Sequence, residues 1–233
     1  MSYTSTFFEN IVHLLYPRIC AGCGSDLISI NNVICGECMN EIPLTGFYMH
    51  QSNPVEKIFR GRIPVVTASA YAYFSKNSVV QHLLHSLKYA SNKEAGIYMG
   101  RLIGRKLKSC EWNNDLYALI PLPLHSGKQK KRGYNQAEMI CKGISSEINL
   151  PVLNDVIIRS KNTDSQTHKT RMERWNNIES KFELKKRDGI MNKHVLLVDD
   201  VITTGATLEA CGSELLKTEG LRLSIAAFAY TSL

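Results

Sequence analysis

The run VLLVDDVITTGATL (195–208) joins three features that one chemistry needs together. Val195, Leu196, Leu197 and Val198 predict a buried strand. Asp199 and Asp200 follow, and then Thr203, Thr204, Gly205, Ala206 and Thr207 form a small-residue turn that opens a helix. Backbone N–H groups and hydroxyls of such a turn can wrap a phosphate, and the helix dipole favours the anion. The two carboxylates would repel that phosphate, so they should face donors such as sugar hydroxyls. A strand leading into an ordinary capped helix would also use Asp and Thr. It does not call for two acids ahead of a phosphate-sized turn.

A second constellation lies near the N-terminus. CAGC, eleven residues and CGEC place Cys20, Cys23, Cys35 and Cys38 on two short turns, with Gly22 and Gly36 relaxing the backbone. Four thiolates at this spacing suit a structural Zn²⁺, a closed site that leaves no position open for catalysis. Two disulfides are the alternative, and they belong to oxidising compartments. Cys141 and Cys211 fall on apolar helical faces and read as core.

The chain has 233 residues, 44% hydrophobic and 21% charged. That suits one domain of about 150 residues with a small appendage, and it excludes a disordered or fibrous protein. No apolar run reaches the ~18 residues of a membrane span and no secretion signal is evident, so a cytoplasmic location is expected. Phe7, Ile11, Leu14 and Leu15 predict a short amphipathic helix that ends at Pro17. The net charge of +7 is concentrated: residues 128–187 hold fourteen Lys and Arg against seven Asp and Glu, and the remainder balances to zero. Such a stretch attracts a polyanion, whether nucleic acid or a small diphosphate.

The elements that must position these groups alternate. Apolar runs at 65–74, 116–124, 194–199 and 221–230 predict strands, with a weaker one at 151–158. Between them, Val79, Leu83 and Leu87, then Met99, Ile103 and Leu107, then Ala137, Ile140, Cys141, Ile144 and Ile148, and finally Leu208, Cys211 and Leu215 mark helical faces. Alternation of this kind argues for an α/β fold, a parallel sheet flanked by helices. Ligands of such sheets bind beyond the carboxyl ends of the strands, which points to the loops after 124 and after 198.

The 195–208 run resembles the thirteen-residue phosphoribosyl pyrophosphate (PRPP) motif of type I phosphoribosyltransferases. Together with HSLKY (85–89), IPLPLHSGKQKKRGYNQAEMI (120–140), RSKNTDSQTHKTRMERWNN (159–177) and the cysteine module, it resembles the ComF family over nearly the whole length. The resemblance implies a small N-terminal zinc module over 1–60 and a phosphoribosyltransferase-like domain over 61–233, with a mobile basic segment at 159–187. It implies that Asp199 and Asp200 hold the ribose hydroxyls and Thr203 to Thr207 the 5′-phosphate. His125, Lys128 and Arg132 would sit in the diphosphate loop, and Gln166, Arg171 and Arg174 on a lid, with Arg132 and Arg171 assisting the leaving group. Mg²⁺ would accompany PRPP. The implied role is in DNA uptake during natural transformation, with pentosyl transfer to an acceptor the residues do not reveal. The other reading, from a different class, is a non-catalytic protein that binds single-stranded DNA or a helicase-like uptake partner and keeps the PRPP pocket as a sensor. A homodimer is compatible with either.

Overall fold

A computed structural model of the chain describes residues 19–26, 32–90, 92–111, 114–159 and 182–232. The expected N-terminal helix and the lid positions Gln166, Arg171 and Arg174 lie outside these described residues.

Four strands form the central sheet: β1 (Ala68–Tyr73), β2 (Ala118–Pro121), β5 (His194–Ile202) and β6 (Arg222–Tyr230). Their spatial order is β1-β6-β5-β2 and every pairing is parallel. A parallel sheet is covered on both faces, which is why β5 and β6 read as nearly unbroken apolar runs. One face carries α3 (Val79–Tyr89), α4 (Lys93–Lys108) and α6 (Gln136–Ile148). There Leu83, Leu87, Met99, Ile103, Ile140 and Ile144 pack on Leu196, Val198 and Phe228. The other carries α2 (Pro54–Phe59) and α7 (Ala206–Leu215), whose Phe59, Leu208, Cys211 and Leu215 pack on Val195, Leu197, Ile225 and Ala227. The fold is therefore α/β, as the alternation predicts, and Cys141 and Cys211 are fully buried. No helix among the described residues is long and apolar enough to cross a membrane.

Helices α4 and α6 cross backbone to backbone. A Cβ on Gly100 would lie 2.0 Å from the Ile140 carbonyl oxygen, and one on Gly143 would lie 2.0 Å from that of Ile97. Only glycine permits this approach, and it fixes the helix whose first turn borders the loop after β2. Outside the sheet's edges, Leu44 bridges Ala72 of β1, and the Leu119 N–H of β2 donates to the Pro151 carbonyl at 2.9 Å.

Two elements differ from the sequence reading. The weak strand at 151–158 reduces to a bridge at Val152 and the short β3 (Ile157–Arg159), which pairs antiparallel with β4 (Phe182–Leu184) as a two-stranded ribbon. The loop from His125 to Gln136 contains a helix, α5 (Ser126–Arg132), with no buried residue. An all-polar turn of helix has no apolar period to announce it.

Candidate functional site

The acid pair stands on the carboxyl-terminal half of β5. Asp200 is only 7% exposed and Asp199 is partly buried. The Asp199 Oδ1 accepts the Asp200 N–H at 2.8 Å, and Asp200 Oδ2 lies 2.9 Å from Lys88 Nζ at the end of α3. Burial, and then the neighbouring Asp200 charge, push the Asp199 carboxyl up to about 8 against the pull of its backbone hydrogen bond, Lys88 and Arg159.

Immediately beyond, Asp199 and residues 201–208 line a cavity of about 50 Å³. Gly205 adopts φ +74°, and a Cβ there would come within 2.6 Å of Ile58 Cγ2. This glycine precedes α7 without any side-chain cap. By contrast, Asn53, Ser78, Asn92, His125 and Asn135 cap α2, α3, α4, α5 and α6 with their side chains. The Ala206 N–H makes only a long 3.5 Å contact with Thr204 Oγ1, so the first turn of α7 can still turn its N–H groups to an anion, flanked by the exposed Thr203, Thr204 and Thr207. Arg62 also stands here, donating to the Thr204 carbonyl at 3.0 Å and pairing with Glu209 at 3.3 Å.

The third part follows β2. His125 accepts the Gly127 N–H at 3.2 Å as the cap of α5, and Lys128 is exposed on that helix. Arg132 donates to Gln136 Oε1 at 2.9 Å, and its guanidinium lies 5.6 Å from the ring centroid of Tyr89. A cavity of about 260 Å³ lies between this loop and the ribbon, lined by Pro123, Ser126, Gln129, Asn154, Ile157 and Arg159 among others. The structure thus sets Asp199 and Thr203 to Thr207 along one cavity, while Asp200, next to Asp199 on β5, does not line it and pairs with Lys88. Lys88, Tyr89, Arg62 and Arg159 join the surroundings of that site without having been singled out from the sequence. Lys88 and Tyr89 fall in HSLKY and Arg159 opens the 159–177 segment, without a role being readable for them there, and Arg62 is an isolated charge with no motif around it.

The four cysteines also converge. Their sulfur atoms all lie within 4.8 Å of one another, with Cys23 and Cys35 Sγ 3.8 Å apart. A tetrahedron of about 2.3 Å Zn–S bonds has an edge of about 3.8 Å, so the donor set fits zinc. None of these four cysteines is joined in a disulfide, which does not support the disulfide alternative. Backbone N–H groups of Gly22 and Cys35 donate to Cys20 Sγ at 3.3 and 3.2 Å. Burial raises the Cys20 thiol, but these and neighbouring donors outweigh it and the net shift is downward. The Ser25 hydroxyl, with its backbone, brings Cys23 down to about 6, whereas burial pushes Cys38 up. Helix α1 (Gly36–Asn40) carries Cys38, and Cys20, Ile34, Cys38 and Ile42 join the core of α3 and α4.

Comparison with known proteins agrees with this geometry. The family described as the phosphoribosyl transferase domain matches residues 135–232. Competence protein F of Haemophilus influenzae is 28% identical over 214 residues, covering 90% of this chain and 89% of that one. Competence protein ComFC of Bacillus subtilis is 24% identical over 219 residues, covering 92% and 85%. DNA utilization protein YhgH of Escherichia coli K12 is 23% identical over 202 residues, covering 85% and 78%. Among solved structures, the glutamine PRPP amidotransferase of Bacillus subtilis overlaps 60% of this chain and 30% of that one at a TM-score of 0.41 and 14% identity. The parallel sheet, with its acid pair and uncapped helix, is of the phosphoribosyltransferase type. Within that class the chain is similar to competence proteins F and ComFC over about nine-tenths of its length, and it carries a four-cysteine cluster near its N-terminus.

Proposed function

We propose that this chain binds PRPP with Mg²⁺ at the carboxyl ends of β2 and β5 and serves DNA uptake during natural transformation in the cytoplasm. The observation that carries the reading is the uncapped amino terminus of α7 directly after Asp199 and Asp200. In this reading Asp199 and Asp200 accept hydrogen bonds from the ribose hydroxyls, and Thr203, Thr204, Gly205, Ala206 and Thr207 enclose the 5′-phosphate. His125, Lys128 and Arg132 face the diphosphate, while Gln166, Arg171 and Arg174 close over it. Residues 1–60 act as the zinc module, held by Cys20, Cys23, Cys35 and Cys38, and 61–233 as the phosphoribosyltransferase-like domain.

Relatives named for competence and DNA utilization support the cellular role. Where transfer occurs, the pentosyl C1–O bond breaks with oxocarbenium character. Mg²⁺ bound to the diphosphate would neutralise its departing charge. The chain's own contribution is to fix the sugar by its carboxylates and to surround the leaving group with cations.

Calorimetric titration of the zinc-loaded protein with PRPP and Mg²⁺, beside Asp199→Asn/Asp200→Asn, tests this. Binding that the variant loses supports the reading; no binding by wild type removes it. The second reading, a single-stranded DNA binder or recruiter of a helicase-like protein, draws on the exposed Lys128, Lys130 and Lys131 of α5 and on Tyr89, 67% exposed, over which Arg132 of that helix lies. Its mark is DNA affinity that falls steeply with salt.

A further inference from the structure

We propose that Lys88 binds the diphosphate at its ribose end, and that its ion pair with Asp200 is the arrangement it leaves when ligand arrives. The inference rests on the PRPP reading above and adds a residue to it.

Lys88 is not an ordinary surface lysine. It stands in the last turn of α3, a helix whose Leu83, Leu84 and Leu87 are buried. Two contacts from outside hold that helix in place. His82 Nδ1–H donates to the Gly22 carbonyl of the cysteine turn at 2.5 Å, and the Tyr134 hydroxyl donates to the Leu87 carbonyl. The Lys88 ammonium is therefore delivered to Asp200 by a braced element. Its side chain keeps 24% exposure against 10% for Asp200, so the cation stands at the open side of the pair.

Two consecutive residues of α3 reach two different parts of the site. Lys88 meets the acid pair, and Tyr89 meets Arg132 at the end of α5. The end of the helix thus spans from the carboxylates assigned to the sugar to the loop assigned to the diphosphate. In PRPP the atoms joining those two groups are C1 and its bridging oxygen. An ammonium has three donors, and one of them suffices for Asp200. Ribose hydroxyls donate to the same carboxylate that Lys88 occupies, so sugar binding loosens the pair while the diphosphate offers the released cation a more highly charged partner. Ribose 5-phosphate brings the first effect without the second.

The test compares PRPP with Mg²⁺ against ribose 5-phosphate, by calorimetry, in wild type and Lys88→Met. The expected result is that the ratio of PRPP affinity to ribose 5-phosphate affinity falls at least tenfold in Lys88→Met, and that Lys88→Arg recovers part of it. An unchanged ratio would leave Lys88 a structural counterion of Asp200 and overturn the inference. Should Lys88→Met lose cooperative unfolding, Lys88→Gln, which keeps a donor toward Asp200, supplies the same ratio. Absence of PRPP binding by wild type is a different result, which removes the underlying reading and this one with it.

Discussion

The cysteine cluster and the acid–threonine turn both aim backbone N–H groups at a site for an occupant, yet they are built in opposite ways. In the cluster, a turn at 21–23 and a five-residue helix at Gly36–Asn40 carry the ligands, and N–H groups are spent on the sulfur ligands themselves. In the turn, a nine-residue strand and a ten-residue helix hold the geometry from inside the core, and no side chain of the N-cap residue occupies the helix donors, the Ala206 N–H alone reaching Thr204 Oγ1 at 3.5 Å. With zinc as the proposed occupant, the first arrangement draws its stability from that metal. The second is formed before any ligand arrives, so ligand binding draws on a site already organised.

The sharpest way to break this contrast is to remove the metal. Chelation, or Cys20→Ser with Cys38→Ser, should cost several kcal/mol and lower Tm by about 10 °C or more, followed by calorimetry and zinc content. Saturating PRPP should instead raise stability only by mass action, about 2.7 kcal/mol at a hundredfold excess over Kd. An unchanged Tm on chelation would end the comparison. Next in size, Gly100→Ala should cost about 2–3 kcal/mol, because its Cβ meets a carbonyl oxygen at 2.0 Å, while zinc content stays at the wild-type level.

A pH titration sharpens the other side. In the folded protein Asp199 keeps its proton to about 8, whereas the unfolded chain releases it near 3.8. The folded state binds more protons across that window, so stability should fall as pH rises from about 4 through about 8 and level off beyond. Urea midpoints of zinc-loaded wild type should show this decline, and Asp199→Asn should flatten it. At the small end, Asp115→Asn removes an exposed 3.4 Å pair with Arg222, and chemical denaturation should detect no more than about 0.5 kcal/mol.

Legibility from the sequence followed the range of the signal. The cysteine set and the 195–208 run declare themselves because spacing and residue type are both local. The sheet strands and long helices were readable from their periods, and β5 extends through Ile202, past the apolar run into the acid pair. Lys88 was not readable as a partner of Asp200, because the pair joins residues far apart in sequence through a helix end. The same is true of Arg62 at the Thr204 carbonyl. Helix α5 escaped for another reason: a solvated SGKQKKR turn of helix has the composition of a loop.

The bridge at Leu44 and the hydrogen bonds at Leu119 bear on how copies or partners can associate. Both outer edges of the four-stranded sheet are occupied by the chain's own segments, near 43–45 on β1 and near 151–153 on β2. An incoming strand would find neither edge open, so extension of this sheet by β-augmentation is blocked until one segment is displaced. Assembly through the central sheet with a second copy or another protein is thereby left to helical faces, surfaces that join by side chains instead of main-chain ladders.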